Sequence, residues 1–269
     1  MPAKNVFNLD DLLRAIGQAG RRMSEIGASE GAAGNISVCL RRGIDLGGHF
    51  PQVELIELPQ AAPHLVGACI LVSGSGCRLR DLLDEPTANL AAILVQPGGR
   101  TAQCHTAPAR RFQRVTSEFN SHLAVHDNQA GSSGADVHAL LHAQPVHLTY
   151  LSHIPRYQDE NYLNARLFRW QPETVVTFPE GIGLVPFCVP GSAHLMTQTV
   201  VSLRTHRLVV WAKHGVMARS DVSVLQAADA IEYAEAAATY EYLDLCAGEI
   251  ASGLSADEIR AIRSAFRLG

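Results

Sequence analysis

Apolar residues recur at helical spacing in several segments of the chain, and shorter apolar runs lie between those segments. The first helical pattern comprises Leu12, Leu13, Ile16, Ala19, Met23 and Ile26. Asn8 is a suitable N-cap for this helix, and Gly27 is a suitable residue to end it. Similar patterns predict further helices at residues 78–83, from 115–118 onward, at 193–206, from near 220 to 246, and at 255–266.

The shorter apolar runs are bounded by Gly, Pro or polar clusters and predict strands. They cover residues 36–40, 68–72, 90–95, 100–104, 135–141, 174–177 and Leu208–Trp211. Residues 41–63 have no regular pattern and indicate a long hairpin or an excursion over the surface. Because helices and strands alternate without a strict βαβ rhythm, the expected α/β fold is a three-layer α/β/α sandwich. Its central sheet is mixed and mostly antiparallel, and residues 1–269 form one domain.

Composition and charge narrow the function classes. The 269 residues are 47% hydrophobic, which is enough for one large core. A net charge of -4 without a basic block argues against a nucleic-acid partner. No apolar run approaches the ~20 residues that span a bilayer, and residues 1–5 do not form a signal-peptide core. Six scattered cysteines without a CxxC pair indicate reduced thiols, so we expect a cytoplasmic protein with no membrane partner.

Two glycine-rich turns and one strand end are candidate sites of chemistry. The segments before Asn35 and after Ser73 present bare backbone amides that suit an anion such as phosphate, although each also suits a plain turn. The second turn lacks the Lys-Ser/Thr of a nucleotide P-loop, so ATP or GTP binding is not supported. His214 follows a predicted strand and precedes Gly215, a position that suits either a functional residue or an ordinary turn histidine.

Acidic and imidazole side chains occur at two other places. Glu118 lies in the predicted first turn of a helix, where a carboxylate also simply stabilises the helix N-terminus. His138 lies within a predicted strand and His142 at its end, and lone histidines in such places are typical of protein cores. A metal site requires that two or three such donors come together.

Four segments in order resemble the class II aldolase/adducin superfamily, and in particular its rhamnulose-1-phosphate aldolase branch. They are Glu30-Gly-Ala-Ala-Gly-Asn35-Ile-Ser, Val72-Ser-Gly-Ser-Gly76, Thr116-Ser-Glu118 with His122, and His142 followed by Lys213-His214-Gly-Val. The segment from Phe178 to Gly191 and the excursion before Ala68 are similar to that branch. The likeness covers nearly the whole chain, and the ordered set is more specific than any one motif.

This resemblance implies a fold, an activity and a set of site residues. The activity is a metal-dependent retro-aldol cleavage of a ketose 1-phosphate to dihydroxyacetone phosphate and an aldehyde, with Zn²⁺ as the expected ion. Carried over by motif, the metal ligands are His142, Gln144 and His214, and the catalytic carboxylates are Glu118 and Glu173. The phosphate-binding residues are Asn35, Ser73, Gly74, Thr116 and Ser117. The resemblance also implies a homo-oligomer, specifically a tetramer, acting on a small phosphorylated sugar.

The chain departs from the family pattern at the metal site. The family has a His-x-His pair, whereas an ungapped match places His142 on the first histidine and Gln144 on the second. A shifted match places Leu140 on the first, so one ligand is absent either way. His138 or His147 could compensate, but neither has the i, i+2 spacing. Ala32 stands where the rhamnulose branch has a substrate-contacting asparagine.

Three hypotheses therefore remain open from the sequence. The first is an aldolase with an altered His142-Ala-Gln144 metal site. The second is a sugar-phosphate epimerase or dehydratase on the same scaffold. The third is a non-catalytic, adducin-like binding or assembly protein, because a glutamine oxygen binds zinc more weakly than an imidazole does.

Overall fold

The computed structural model describes residues 8–42 and 44–268, and it contains nine α-helices in those ranges. Residues 1–7 lie outside the described residues, and with them the sequence segment that argues against a signal peptide. The helices are α1 Leu9–Glu25, α2 Pro86–Asn89, α3 Phe119–Ser132, α4 Val146–Leu151, α5 Glu160–Leu167, α6 Pro172–Thr177, α7 Ala193–Leu203, α8 Val224–Ala247 and α9 Ala256–Ala265. None of the described helices is both long and apolar enough to cross a bilayer.

The strands join in one sheet. They are β1 Asn35–Leu40, β2 Gln52–Glu57, β3 Cys69–Ser73, β4 Leu90–Val95, β5 Thr101–Thr106, β6 Val137–Ala143, β7 Gly183–Val185, β8 Leu208–Trp211 and β9 Gly215–Ser220. Their order across the sheet is β2-β5-β4-β3-β1-β6-β9-β8-β7. The pair β7–β8 is parallel, and the other paired strands of the described chain are antiparallel. The prediction of a mixed, mostly antiparallel sheet is therefore confirmed.

Helices cover both faces of the sheet and produce three layers. Alternate strand residues point to opposite faces, so that Val38 packs with α1 and α8 while its neighbour Cys39 packs on the face of α3. The α7 side chains Leu195 and Leu203 pack beside Trp211 on this second face. The α/β/α sandwich predicted from the sequence is confirmed by this arrangement.

Helix α1 begins and ends where its sequence indicates. The Asn8 side chain accepts hydrogen bonds from the backbone N–H groups of Asp10 and Asp11, at 2.8 and 3.3 Å. Such a cap satisfies two of the free N–H groups at a helix start. Gly27 follows the helix with φ +71, a conformation that glycine adopts without strain.

One strand prediction is wrong. Residues 174–177 form the last part of α6, which begins at Pro172. The β-branched run Thr-Val-Val-Thr favours a strand, but proline is preorganised for the first helical position. Thr174 and Val175 are buried, and α6 packs against α8 and α9, which stabilises the helix.

The helix predicted to open at residues 115–118 begins later, with Glu118 at the N-cap position of α3 and without a side-chain cap. The preceding residues are held by the sheet, since Val115 bridges to Gly74 and the N–H of Thr116 donates to the carbonyl of Ser73 at 3.0 Å. This pairing places the end of β3 beside the start of α3.

Three strands were not predicted from the sequence. Strand β9 lies between the predicted strand Leu208–Trp211 and the predicted long helix, β7 has only three residues, and β2 lies in the segment with no regular pattern. Each depends on its partners: β9 pairs with β6 and β8, β7 pairs with β8, and the largely exposed β2 pairs with β5 at the sheet edge.

Candidate functional site

A carboxylate and two imidazoles from three separate elements meet at one end of the sheet. Glu118 precedes α3, His142 lies near the end of β6, and His214 lies in the turn between β8 and β9. Nε2 of His142 is 3.5 Å from Oε2 of Glu118, and Nε2 of His214 is 3.6 Å from Oε1. Within residues 8–42 and 44–268, no other three His, Cys, Asp or Glu side chains come together in this way.

The backbone around His214 is shaped for close approach. Lys213 has φ 64, a left-handed conformation that non-glycine residues seldom adopt. A Cβ atom at Gly215 would lie 2.5 Å from the carbonyl oxygen of Ala143 and 3.1 Å from Cε1 of His142. Glycine at this position therefore lets the β8–β9 turn lie directly against the end of β6, which brings the two histidines together.

The His142 ring is oriented by its other nitrogen. Nδ1 of His142 is 2.7 Å from the carbonyl oxygen of Val216, and a carbonyl can only accept a hydrogen bond. Neutral His142 consequently carries its proton on Nδ1, and its bare Nε2 faces Glu118. This is the arrangement by which proteins orient metal-binding histidines.

The electrostatics of the cluster keep the carboxylate charged and His214 neutral. Burial alone would raise the pKa of Glu118, but the neighbouring His142 and a hydrogen bond from Asn35 outweigh burial and lower that pKa. Burial lowers the pKa of His214 to about 4, with a further contribution from His142. A charged carboxylate beside a neutral imidazole is the protonation state that metal binding requires.

The residues of the cluster fit a divalent metal ion. Oε1 of Glu118 is buried and has no hydrogen-bond partner among the described residues. A buried carboxylate oxygen in that state is costly unless a cation or another ligand contacts it. Two imidazole nitrogens and a carboxylate oxygen are donors typical of catalytic zinc sites. Gln144 lines the same cavity and adds an amide oxygen, a weaker donor for zinc.

The three side chains open into a cavity of about 260 Å³ that both glycine-rich turns also line. Its lining comprises residues 32–35, 74–76 and 116–118, with His142, Gln144, Pro190 and His214. A Cβ atom at Gly34 would lie 2.8 Å from the carbonyl oxygen of His142, so the first turn lies directly against β6. Of the predicted phosphate-binding residues, Asn35, Gly74, Thr116 and Ser117 lie in this lining.

Two predicted phosphate-binding residues have other contacts. Ser73 is not part of the cavity lining, because its buried hydroxyl accepts a hydrogen bond from the N–H of Ile36 at 3.1 Å. Its neighbour Ser75 lines the cavity instead. The side-chain amide of Asn35 donates a hydrogen bond to Oε2 of Glu118 at 2.8 Å, so Asn35 stabilises the carboxylate.

The remaining predicted site residues lie elsewhere. Glu173 is exposed in the first turn of α6 and does not line the cavity of its own chain. His147 lies on α4, where its Nδ1 is 2.7 Å from the carboxylate of Glu235. His138 contacts His126. Neither His138 nor His147 takes the place of the histidine that Gln144 replaces.

Sequence reasoning missed Trp211 and Pro190. The indole of Trp211 lies 4.7 Å from the His142 ring and 5.2 Å from the His214 ring, measured between centroids, so it packs against both histidines. A signal for Trp211 was present, since it is the residue at which β8 ends before His214. Pro190 has no comparable signal, because it reaches the cavity from a distant segment.

A family model of the class II aldolase and adducin N-terminal domain matches residues 14–242 of this chain. The chain belongs to the class II aldolase and adducin family. This class II aldolase family member is 30% identical over 217 residues to rhamnulose-1-phosphate aldolase of Yersinia pestis. The match covers 81% of the chain and 78% of that relative. The resemblance inferred from the motifs is thereby confirmed.

Solved structures agree with the class II aldolase assignment. A sugar-phosphate aldolase from Thermotoga maritima superposes with a TM-score of 0.76 at 27% identity, covering 91% of this chain and 99% of that one. An L-fuculose-1-phosphate aldolase from Thermus thermophilus superposes with a TM-score of 0.57 at 19% identity, covering 91% of this chain and 100% of that one. The second likeness concerns the fold alone.

Proposed function

We propose that this chain is a metal-dependent carbon–carbon lyase that cleaves a ketose 1-phosphate of the rhamnulose-1-phosphate type. The products would be dihydroxyacetone phosphate and an aldehyde. The observation that carries the proposal is the Glu118 carboxylate, flanked at 3.5 and 3.6 Å by two imidazole nitrogens in a cavity that glycine-rich turns also line. Such a site combines acid–base chemistry, a place for a cation and a place for an anion.

The glycine-rich turns provide the anion site. Gly34 and residues 74–76 border the cavity beside the hydroxyl-bearing Thr116 and Ser117. The N–H groups of Gly74 and Ser75 already donate to backbone carbonyls, so the N–H groups of Gly34 and Gly76 are the candidate donors. Turns of this type hold phosphate groups through backbone N–H donors. Phosphate binding remote from the reacting carbons orients the substrate, and this contributes to catalysis without taking part in the chemistry.

The Glu118 carboxylate serves as the acid–base group. In the retro-aldol direction the C3–C4 bond breaks, the C4 hydroxyl loses its proton as the aldehyde forms, and C3 gains a proton. A bound divalent metal would supply the Lewis acidity that stabilises negative charge on the carbonyl oxygen. His142, His214 and Gln144 would hold that ion, with Zn²⁺ expected, and the carboxylate of Glu118 would lie beside it and move the proton.

Gln144 favours a second candidate, a non-catalytic adducin-like binding or assembly protein. Replacing one imidazole by a weaker amide donor lowers affinity for zinc. If the ion does not bind at cellular concentrations, the charge stabilisation that the lyase requires is absent. The fold would then serve to present surfaces rather than to cleave a sugar.

One purified preparation distinguishes these candidates. We expect about one divalent ion per chain, and release of dihydroxyacetone phosphate from rhamnulose 1-phosphate, followed by NADH oxidation in a coupled assay. Glu118→Gln should lower kcat by about 100-fold or more, because proton transfer is lost. Glu25→Gln, at the exposed end of α1, is the matched control. No ion after incubation with Zn²⁺ and no cleavage would reject the lyase, whereas an epimerised or dehydrated product would indicate the related enzymes.

We propose further that the chain, residues 1–269, is one domain of a cytoplasmic homo-tetramer. The six free cysteines support a reducing compartment. Exposed apolar side chains such as Tyr150, Tyr240 and Leu243 support an interface between subunits. Light scattering on the eluting protein tests the tetramer, and a monomer would contradict it.

A further inference from the structure

A buried chain of hydrogen bonds runs from Glu118 into the space between the sheet and α3. Beyond Asn35 its members are His122 and His126 on α3, Ser37 on β1 and His138 on β6, all of them buried. Each member contacts the next at hydrogen-bond distance. None of these four residues lines the cavity of the candidate site.

The direction of the hydrogen-bond chain, that is, which atom donates at each step, is set at Glu118. A carboxylate only accepts hydrogen bonds, so Asn35 must turn its amide nitrogen, 2.8 Å away, toward Glu118. The amide oxygen of Asn35 then points the other way, to Nε2 of His122 at 2.5 Å. Since that oxygen only accepts, the proton between them belongs to Nε2 of His122.

The next two steps follow from neutral imidazoles. Burial lowers the pKa of His122 to about 3, so this ring carries a single proton and its Nδ1 is an acceptor. The Ser37 hydroxyl, 2.6 Å away, donates to that nitrogen. Ser37 has no second proton, and it therefore accepts from Nε2 of His126 at 2.7 Å.

The contacts of His138, at the other end of the hydrogen-bond chain, agree with this direction. His126 is also neutral, because burial keeps its pKa well below the usual value, and its bare Nδ1 accepts from Nδ1 of His138 at 2.7 Å. His138 is then left with a bare Nε2. That atom is buried and has no hydrogen-bond partner in the described part of the chain, where the nearest carboxylate oxygen, on Asp221, is 3.9 Å away.

We propose that Ser37, His122, His126 and His138 are positioning residues that hold the Asn35 amide, and through it the Glu118 carboxylate, in one orientation. The proposal rests on the function assigned to Glu118 above. It is not a path for protons, because an amide does not readily pass a proton from one side to the other. A reversed Asn35 amide is disfavoured, because its oxygen would lie against the carboxylate and its nitrogen against the donating Nε2 of His122.

The proton positions provide a test that does not depend on activity. In wild-type protein with ¹⁵N-labelled histidine, nitrogen chemical shifts should show His122 and His126 as Nε2–H tautomers and His138 as the Nδ1–H tautomer. A charged ring or the opposite tautomer at His122 would overturn the proposal. This measurement stands even if the protein cleaves no sugar phosphate.

Two substitutions at one position separate positioning from packing. In His122→Gln, the side-chain amide nitrogen reaches the place of Nε2 and still donates to Asn35, whereas His122→Leu fills the space without a donor. We expect His122→Leu to weaken Zn²⁺ binding by about 10- to 100-fold, and to lower kcat more than it changes KM. His122→Gln should recover most of the Zn²⁺ affinity and most of kcat. Equal values for the two variants would show that the donor has no such role.

A milder variant and a control complete the test. Ser37→Ala removes the bridging hydroxyl with little loss of volume. We expect the nitrogen chemical shift of His122 Nδ1 to move, because that atom loses its hydrogen-bond donor, and Zn²⁺ affinity to fall. Ser121→Ala is the control, because Ser121 is also buried on α3 and its hydroxyl bonds to nothing in the described chain. The proposal fails if Ser37→Ala matches Ser121→Ala in both readouts.

Discussion

The indole ring of Trp211 stacks on the imidazole of His214, with ring centroids 5.2 Å apart and an angle of 30° between the planes. Trp211 is buried, and its Nε1 has no hydrogen-bond partner within the described residues. Its contribution is therefore packing: the ring supports both histidines of the candidate metal site from one side.

This contact makes Trp211 a reporter of metal binding. We expect Co²⁺, which quenches indole fluorescence at short range, to quench much of the emission as it fills the site. Trp170 stacks near Tyr240, away from both histidines, and Trp170→Phe should keep the response. Trp211→Phe should abolish it while the protein stays folded, because no hydrogen bond is lost. Quenching that persists in Trp211→Phe would place the ion elsewhere.

Restoring an imidazole at Gln144 should strengthen the metal site. Gln144 lines the cavity with His142 and His214, and imidazole is a better zinc donor than an amide oxygen. We expect Gln144→His to tighten Zn²⁺ binding at least about tenfold, which corresponds to about 1.4 kcal/mol. Competition with a chelator of known affinity measures this change. Gln113→His, outside the cavity, is the control for a histidine added nearby, and equal affinities for the two variants would contradict the prediction.

Glu173 can serve the chemistry only if another chain supplies it. The side chain is exposed and does not line the cavity of its own chain, although the family resemblance gives it a catalytic role. We expect Glu118→Gln and Glu173→Gln to be inactive separately. Refolding them together should restore activity to some mixed oligomers, in which one site receives both carboxylates. Failure of every mixture, with oligomers formed, would remove Glu173 from the site.

The sequence predicted the layers of the fold well because most core elements carry their own periodic signal. The sequence-based prediction was wrong or incomplete where contacts with a neighbouring helix or strand determine the secondary structure. Residues 174–177 have strand-like composition but are held as a helix by Pro172 and by packing on α8 and α9. The short β7 becomes a strand through pairing with β8, and the segment of β9 becomes one through pairing with β6 and β8.

The site divides in the same way. Glu118, His142 and His214 could be found because each stands beside a recognisable turn or element end. Ser75 was overlooked in favour of Ser73, since which serine of a turn faces a cavity depends on backbone geometry. The buried chain of histidines was missed because its members come from β1, α3 and β6, and nothing in the order of residues indicates that they meet.

Those buried histidines should make the protein less stable in acid. Burial lowers the pKa of His122 and of His138 to about 3, whereas the pKa of a histidine in the unfolded chain is about 6.5. Between these values the unfolded chain binds more protons than the folded one. These histidines therefore do not reduce the free energy of unfolding above about pH 6.5. Below that pH the free energy of unfolding decreases toward pH 3, by at most about 1.4 kcal/mol per pH unit for each such histidine.

His126 provides the matched experiment, since burial also lowers its pKa well below the usual value. Glutamine does not titrate, so His126→Gln should reduce the slope of stability against pH by up to about 1.4 kcal/mol per unit between about pH 6 and pH 4. Urea unfolding at several pH values measures the slope. His153→Gln, at an exposed position, should leave it unchanged. An unaltered slope in His126→Gln would mean that His126 accepts its proton in the folded protein. The direction of the hydrogen-bond chain, which requires a neutral His126, would then be incorrect.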